Sequence, residues 1–147
     1  MIDIPKTVVA AIVEHARESF PEECCGFLIG SVTEQRRVTE ARRARNAAKE
    51  KRSRRYRIDP LELLHADEDA RAKRLDLIGI YHSHPNHPAV PSEYDESHAA
   101  SWYTYLIQSV VNRKPRELTA WRFDDSARRF EPEELRIRTG RRGRGEP

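Results

Sequence analysis

Three side chains within one short stretch could share a divalent cation. His82-Ser83-His84 carries two imidazoles two residues apart. In a strand, where side chains alternate between faces, both project from the same side with Ser83 opposite. Pro85 follows at once and ends the strand, so the pair stands at a strand-to-loop edge, where active sites on mixed sheets commonly form. Residues Asn86 to Pro91 then return the chain to Ser92-Glu93-Tyr94-Asp95. Two neutral imidazoles and the Asp95 carboxylate make a three-ligand set that leaves one tetrahedral position open for water, as catalytic rather than structural zinc requires. A plainer reading fits the same residues. Ser92 caps a helix, Asp95 sits in its first turn favoured by the dipole, and the histidines are ordinary imidazoles. On these residues alone both readings stay open.

The elements that must hold them can be read from periodicity. Val8, Ile12, Ala16 and Phe20, with Val9 and Val13 beside them, form one stripe of an amphipathic helix that starts near Pro5 and ends at Pro21. Cys24 to Gly30 is a short apolar run that suits a strand buried on both faces. The region Arg36 to Ile58 reads as two polar strands around a loop at Asn46 to Ser53, with Val38, Tyr56 and Ile58 inward. Asp59-Pro60-Leu61-Glu62 opens a second helix, with Asp59 as cap, Pro60 in the first position and Glu62 completing a capping box; it runs to about Arg74. Leu75 to His82 is an inner strand, and a helix feeding an inner strand suggests a crossover unit. Pro91-Ser92-Glu93 begins a third helix through about Ser101. Tyr105–Val111 and Leu118–Phe123 alternate as strands around a turn at Asn112–Arg116. The pattern is mixed α and β without an internal repeat.

With the elements in place, the chain resembles the JAMM, or MPN-plus, metalloprotease family in its compact prokaryotic form. The family signature is His-x-His-Pro, six residues, then Ser-x-x-Asp, matched here by His82-Ser83-His84-Pro85 and Ser92-Glu93-Tyr94-Asp95. Its upstream glutamate, in the form Glu-x-Cys-Gly on the first strand, is matched by Glu23-Cys24-Cys25-Gly26. The similarity runs on through Asn46, Tyr56-Arg57-Ile58-Asp59-Pro60 and Gly79-Ile80-Tyr81. The resemblance implies a cytidine-deaminase-like α/β fold, a curved mixed sheet flanked by helices. It also implies zinc held by His82, His84 and Asp95, with Glu23 as general base and then acid and Ser92 stabilising the oxyanion. The implied reaction is hydrolysis after the Gly-Gly tail of a ubiquitin-like or sulfur-carrier protein. Deaminase chemistry is disfavoured, because zinc deaminases take two ligands from a Cys-x-x-Cys pair and this chain has only the adjacent Cys24 and Cys25. A serine-protease reading lacks a Gly-x-Ser-x-Gly elbow.

A chain of 147 residues suits one domain, expected over residues 1–135, with a basic, disordered tail over 136–147. Adjacent cysteines do not form an ordinary disulfide, no long apolar run occurs, and the N-terminus lacks an apolar leader. The expectation is therefore a cytoplasmic protein with no membrane partner. Net charge is +3, yet residues 36–57 hold eleven Lys and Arg against Glu40 and Glu50. The segment reads as a solvated face that could steer an acidic carrier. Nucleic-acid binding is the weaker alternative, since no aromatic residues interleave with the tail arginines. A non-catalytic scaffold of the same fold is the other alternative, and the intact ligand set argues against it.

Overall fold

The computed structural model describes residues 1–139. Eight strands form one sheet: β1 (Ile2–Pro5), β2 (Cys25–Val32), β3 (Arg36–Ala44), β4 (Asp76–Pro85), β5 (Thr104–Val111), β6 (Lys114–Asp124), β7 (Arg129–Glu133) and β8 (Leu135–Arg138). Three helices accompany them: α1 (Lys6–Ser19), α2 (Pro60–Ala72) and α3 (Glu93–Ser97). The strand order is β7-β6-β5-β4-β2-β3-β1-β8. β4 is an inner strand, antiparallel to β2 and parallel to β5, and α3 lies in the crossover between β4 and β5. Inner strands buried on both faces need apolar residues on both, and β2 and β4 supply them.

The helices cover opposite faces. Val8, Ile12 and Ala16 of α1 pack with Leu28, Val38, Ile78 and Leu106 on one side, while Ala66 and Ala70 of α2 pack with Cys25, Phe27, Ile29 and Leu77 on the other. Each fully buried Ile, Leu or Phe contributes about 1.5–3 kcal/mol, so the sheet is clamped between two apolar layers and its inner strands make a firm base. Gly26 of β2 allows a close approach across the sheet. A Cβ there would stand 2.3 Å from the Tyr81 ring, which instead crosses β2 to place its hydroxyl 2.7 Å from His15 Nδ1.

Several elements depart from the sequence-based expectations. Ile2–Pro5 is a strand ahead of α1, with Ile2 and Ile4 fully buried. Arg36 to Ile58 holds one strand, β3, instead of two; Tyr56 and Ile58 lie outside any strand because they turn inward to pack beside α2 and the sheet. Asp59 caps α2 by accepting the Leu61 N–H at 2.8 Å, but Glu62 completes no capping box: its carboxylate accepts the Arg45 N–H at 3.3 Å instead. α3 ends at Ser97, well short of Ser101. The β5–β6 turn is only Asn112-Arg113, both with positive φ (51° and 69°), as a tight right-twisting hairpin demands.

The proposed tail boundary also needs correction. Residues 136–138 belong to β8, which pairs in parallel with β1, and Arg136 and Arg138 reach the buried Asp3 carboxylate. The two arginines share that one acid while the backbone pairs with β1, so an arginine-rich segment is part of the sheet. The remainder of the expected tail, 140–147, lies outside the described residues.

Candidate metal and active site

The three expected ligands converge. His82 and His84 leave the same face of β4 near its C-terminal end, and α3 returns Asp95 over them. His82 Nε2 and His84 Nε2 are 3.3 Å apart, and Asp95 Oδ2 is 3.3 Å from the first and 3.1 Å from the second. All three residues are buried. Donor atoms about 2.0–2.1 Å from a tetrahedral centre are spaced roughly 3.3 Å apart, so this triangle matches the face of a four-coordinate cation.

The electrostatics point the same way. His84 Nδ1–H donates to the Pro88 carbonyl at 2.8 Å, which turns Nε2 toward Asp95 Oδ2. Burial works against a charged His84 ring, but Asp95, the Pro88 carbonyl and Glu23 outweigh it and raise its pKa, so with no cation present a proton is held between Nε2 and the carboxylate. Burial lowers the His82 pKa and favours its neutral form. Burial works against the Asp95 carboxylate too, but His82, His84 and the Ser92 N–H outweigh it and hold its pKa well below the ordinary range. Three electron-pair donors facing one point are stable only with a proton or a cation between them. The donor set, one carboxylate and two imidazoles, fits a borderline divalent ion.

The capping reading and the ligand reading are both realised. Ser92 N donates to Asp95 Oδ2 at 2.9 Å, and Asp95 N donates to Ser92 Oγ at 3.0 Å, a reciprocal box at the start of α3. The box fixes the orientation of the carboxylate toward the imidazoles. His82 is steered differently: its ring stacks on Tyr56 with centroids 4.4 Å apart, and its Nδ1 is buried without a partner among the described residues.

Glu23 stands beside this triad, in the segment two residues before β2 rather than on the first strand. It is only 4% exposed. Burial pushes its carboxyl up to about 8, with His84 pulling down and Asp95 pushing up, and its Oε1 has no hydrogen-bond partner among the described residues. Its backbone is held on both sides: Glu23 N donates to the Arg52 carbonyl at 2.7 Å, and Asn46 Nδ2 donates to the Glu23 carbonyl at 3.0 Å. Asn46 also donates to the Arg55 carbonyl and accepts from Ala48 N and Arg57 N, so one amide ties the 45–57 segment to the acid. Ser83, on the far face of β4, accepts the Cys24 N–H at 2.8 Å and locks that segment to the histidine strand.

Glu23, His84 and Ser92 line a cleft of about 390 Å³. Cys24 and Cys25 take no part as ligands; burial raises both thiols, Cys24 to about 11. His15 is a buried partner of Tyr81, and His98 stacks on Tyr94, so neither joins the triad. Trp102 is half exposed and lies against the Arg36 guanidinium. Tyr56 and Asn46 acquire their roles only in three dimensions. Beyond the inward placing of Tyr56, the sequence marks them only by their falling within the stretch of family resemblance.

Residues 5–124 match the family model described as prokaryotic homologs of the JAB domain. The chain belongs to that family. Among the relatives of this JAB-domain chain, the desampylase of Haloferax volcanii is 41% identical over 109 residues, 70% of this chain and 76% of the relative. The CysO-cysteine peptidase of Mycobacterium tuberculosis is 33% identical over 134 residues, 85% of this chain and 84% of the relative. The solution structure of a Desulfitobacterium hafniense protein superposes with a TM-score of 0.83 at 28% identity, covering 95% of this chain and 94% of that one. The JAB fold is therefore a mixed α/β sheet with helices, as the motif implied. No helix among the described residues is long and apolar enough to cross a membrane.

Proposed function

We propose that this chain is a zinc-dependent peptidase or isopeptidase that hydrolyses the bond following the Gly-Gly tail of a ubiquitin-like or sulfur-carrier protein. The observation that carries the reading is the convergence of His82, His84 and Asp95 to within 3.3 Å around a carboxylate that has no arginine or lysine partner among the described residues, with Glu23 buried alongside. Those three residues would hold the zinc, which when bound supplies a Lewis acid and lowers the pKa of water toward about 7. The carrier class is supported by the complete motif and by relatives named desampylase and CysO-cysteine peptidase. A cytoplasmic setting belongs to the proposal, supported by two free, buried cysteines.

Glu23 is the proton carrier. Its unpartnered Oε1 takes a proton from the attacking water as the water oxygen bonds to the carbonyl carbon, then returns it to the nitrogen as the C–N bond breaks. A carboxyl whose pKa is raised by burial suits both halves of that exchange. Ser92 Oγ already accepts from Asp95 N, and its hydroxyl hydrogen is free to turn into the cleft toward the developing oxyanion. No base among the described residues activates Ser92, so it serves as a donor and not as a nucleophile.

Zinc content and mass spectrometry of a Gly-Gly-extended ubiquitin-like carrier, before and after incubation, test the proposal. Wild type should release the extension, and Glu23→Gln should keep its zinc while slowing release on the order of 10²–10⁴-fold. Equal rates would remove Glu23 from the mechanism.

A further inference from the structure

Glu23 also makes the two sides of the triad unequal. The cleft it shares with His84 and Ser92 is walled by Pro88 and Val90 and is lined also by the exposed Arg54. A second cleft, about 240 Å³, lies on the side of Tyr56, Ile80, Tyr94 and Asp95 and does not include Glu23. A departing amine must receive a proton, and Glu23 is the acid placed to give it. The departing half of the substrate therefore occupies the Glu23 cleft, and the acyl half is left with the aromatic one. At about 390 Å³ the Glu23 cleft lies near the small end of ligand sites, which run from about 300 to 1,000 Å³.

Among the described residues, Arg54 is the one permanent cation lining that cleft. It is exposed, and its guanidinium makes no hydrogen bond or ion pair among the described residues. Its neighbours are engaged: Arg52 pairs with Glu22 at 3.2 Å, and Arg55 lies over the Tyr94 ring. The turn that presents it is held by the Arg54 N–H, which donates to the Lys51 carbonyl at 2.9 Å, and the segment as a whole is tied to Glu23 through Asn46. An uncommitted guanidinium on an exposed residue that lines a largely apolar cleft can bind a carboxylate through two parallel N–H groups.

We infer that Arg54 forms a carboxylate subsite for the leaving group, and that the preferred substrate releases a single amino acid rather than a protein lysine. This rests on the peptidase reading above. In an α-linked amino acid the departing nitrogen and the free carboxylate share one Cα, so a residue donating its amine toward Glu23 brings its carboxylate along within the same cleft. A lysine ε-amine departs with four methylenes behind it and no carboxylate nearby.

Three probes separate the possibilities with the zinc-loaded chain. They are ubiquitin extended after its Gly-Gly by one alanine as the free acid, the same extension as the carboxamide, and Gly-Gly joined to the ε-amine of lysine in a short peptide. The free acid should show a KM roughly tenfold below that of the carboxamide at low salt, with a similar kcat, and the gap should narrow as salt rises. Arg54→Gln should close the gap and Arg54→Lys should retain part of it; unchanged zinc content in both would show that the fold is intact. Equal KM values for acid and amide in wild type, a gap that survives Arg54→Gln, or faster cleavage of the lysine probe would overturn the subsite and leave the peptidase reading standing. Failure to cleave any of the three would sink both.

Discussion

Asp3 and Asp95 are both buried carboxylates flanked by two nitrogen bases, yet only one of them makes a site. Asp3 lies 2.7 Å from Arg138 Nε and 3.4 Å from Arg136, at the β1–β8 edge of the sheet. Arginine keeps its proton at any physiological pH, so the Asp3 charge is compensated by residues that cannot let go of theirs. Asp95 faces two imidazoles, which are neutral when their Nε2 lone pairs are available, so its charge has no fixed partner. The lesson is that a buried acid becomes a cation site when its neighbours are able to be uncharged. The same kind of cluster is a structural rivet when they are not.

The contrast is tested hardest at Asp95 itself. Asp95→Asn keeps the shape but removes the charge; bound zinc should be lost and cleavage should fall on the order of a thousandfold or more, since metal Lewis acidity supplies several kcal/mol. Retention of a full zinc equivalent would mean the imidazoles suffice. Ser92→Ala should reduce kcat about 10²–10³-fold through the lost oxyanion donor, while the broken cap costs only about 1 kcal/mol of stability. A variant that loses stability but turns over normally would confine Ser92 to the cap. At the other acid, Asp3→Asn should lower stability by about 3 kcal/mol in denaturant melts and leave zinc binding untouched. A loss of zinc there would erase the distinction between the two clusters.

The smallest expected effect is in the metal-free chain. Glu23 ionises near 8 when folded, against an ordinary 4.5, so between those values the folded state holds a proton that the unfolded state has given up. Stability contributed by the protonated group is complete below pH 4.5 and drains away as pH rises toward 8. Glu23→Gln should therefore melt a few degrees higher than wild type at pH 8 and match it at pH 4.5. A constant offset across that range would assign the difference to packing instead of charge.

How much of this was legible depends on whether the signal was local. The His82/His84 face, the Asp59 cap and the α1 stripe each follow from neighbours a few residues apart, and each stands where periodicity put it. β1, β7 and β8 left no comparable trace. They are four or five residues long; β1 and β8 become strands through a partner far away in sequence, Ile4 beside Ile137, while β7 takes its strand form from the hairpin with β6, where Arg129 stands opposite Asp124. Arg136 and Arg138 looked like tail residues because their acid is Asp3, over a hundred positions earlier. Tyr56 looked like an ordinary inward strand residue for the same reason: its stacking partner, His82, lies across the fold. The 45–57 segment carried too many charges for its organising residue, the uncharged Asn46, to stand out.

X-ray absorption at the zinc edge of the loaded chain tests the ligand assignment most directly. A shell of nitrogen and oxygen at about 2.0–2.1 Å with imidazole outer-shell scattering is expected, and sulfur at about 2.3 Å, which would have to come from Cys24 or Cys25, would contradict it.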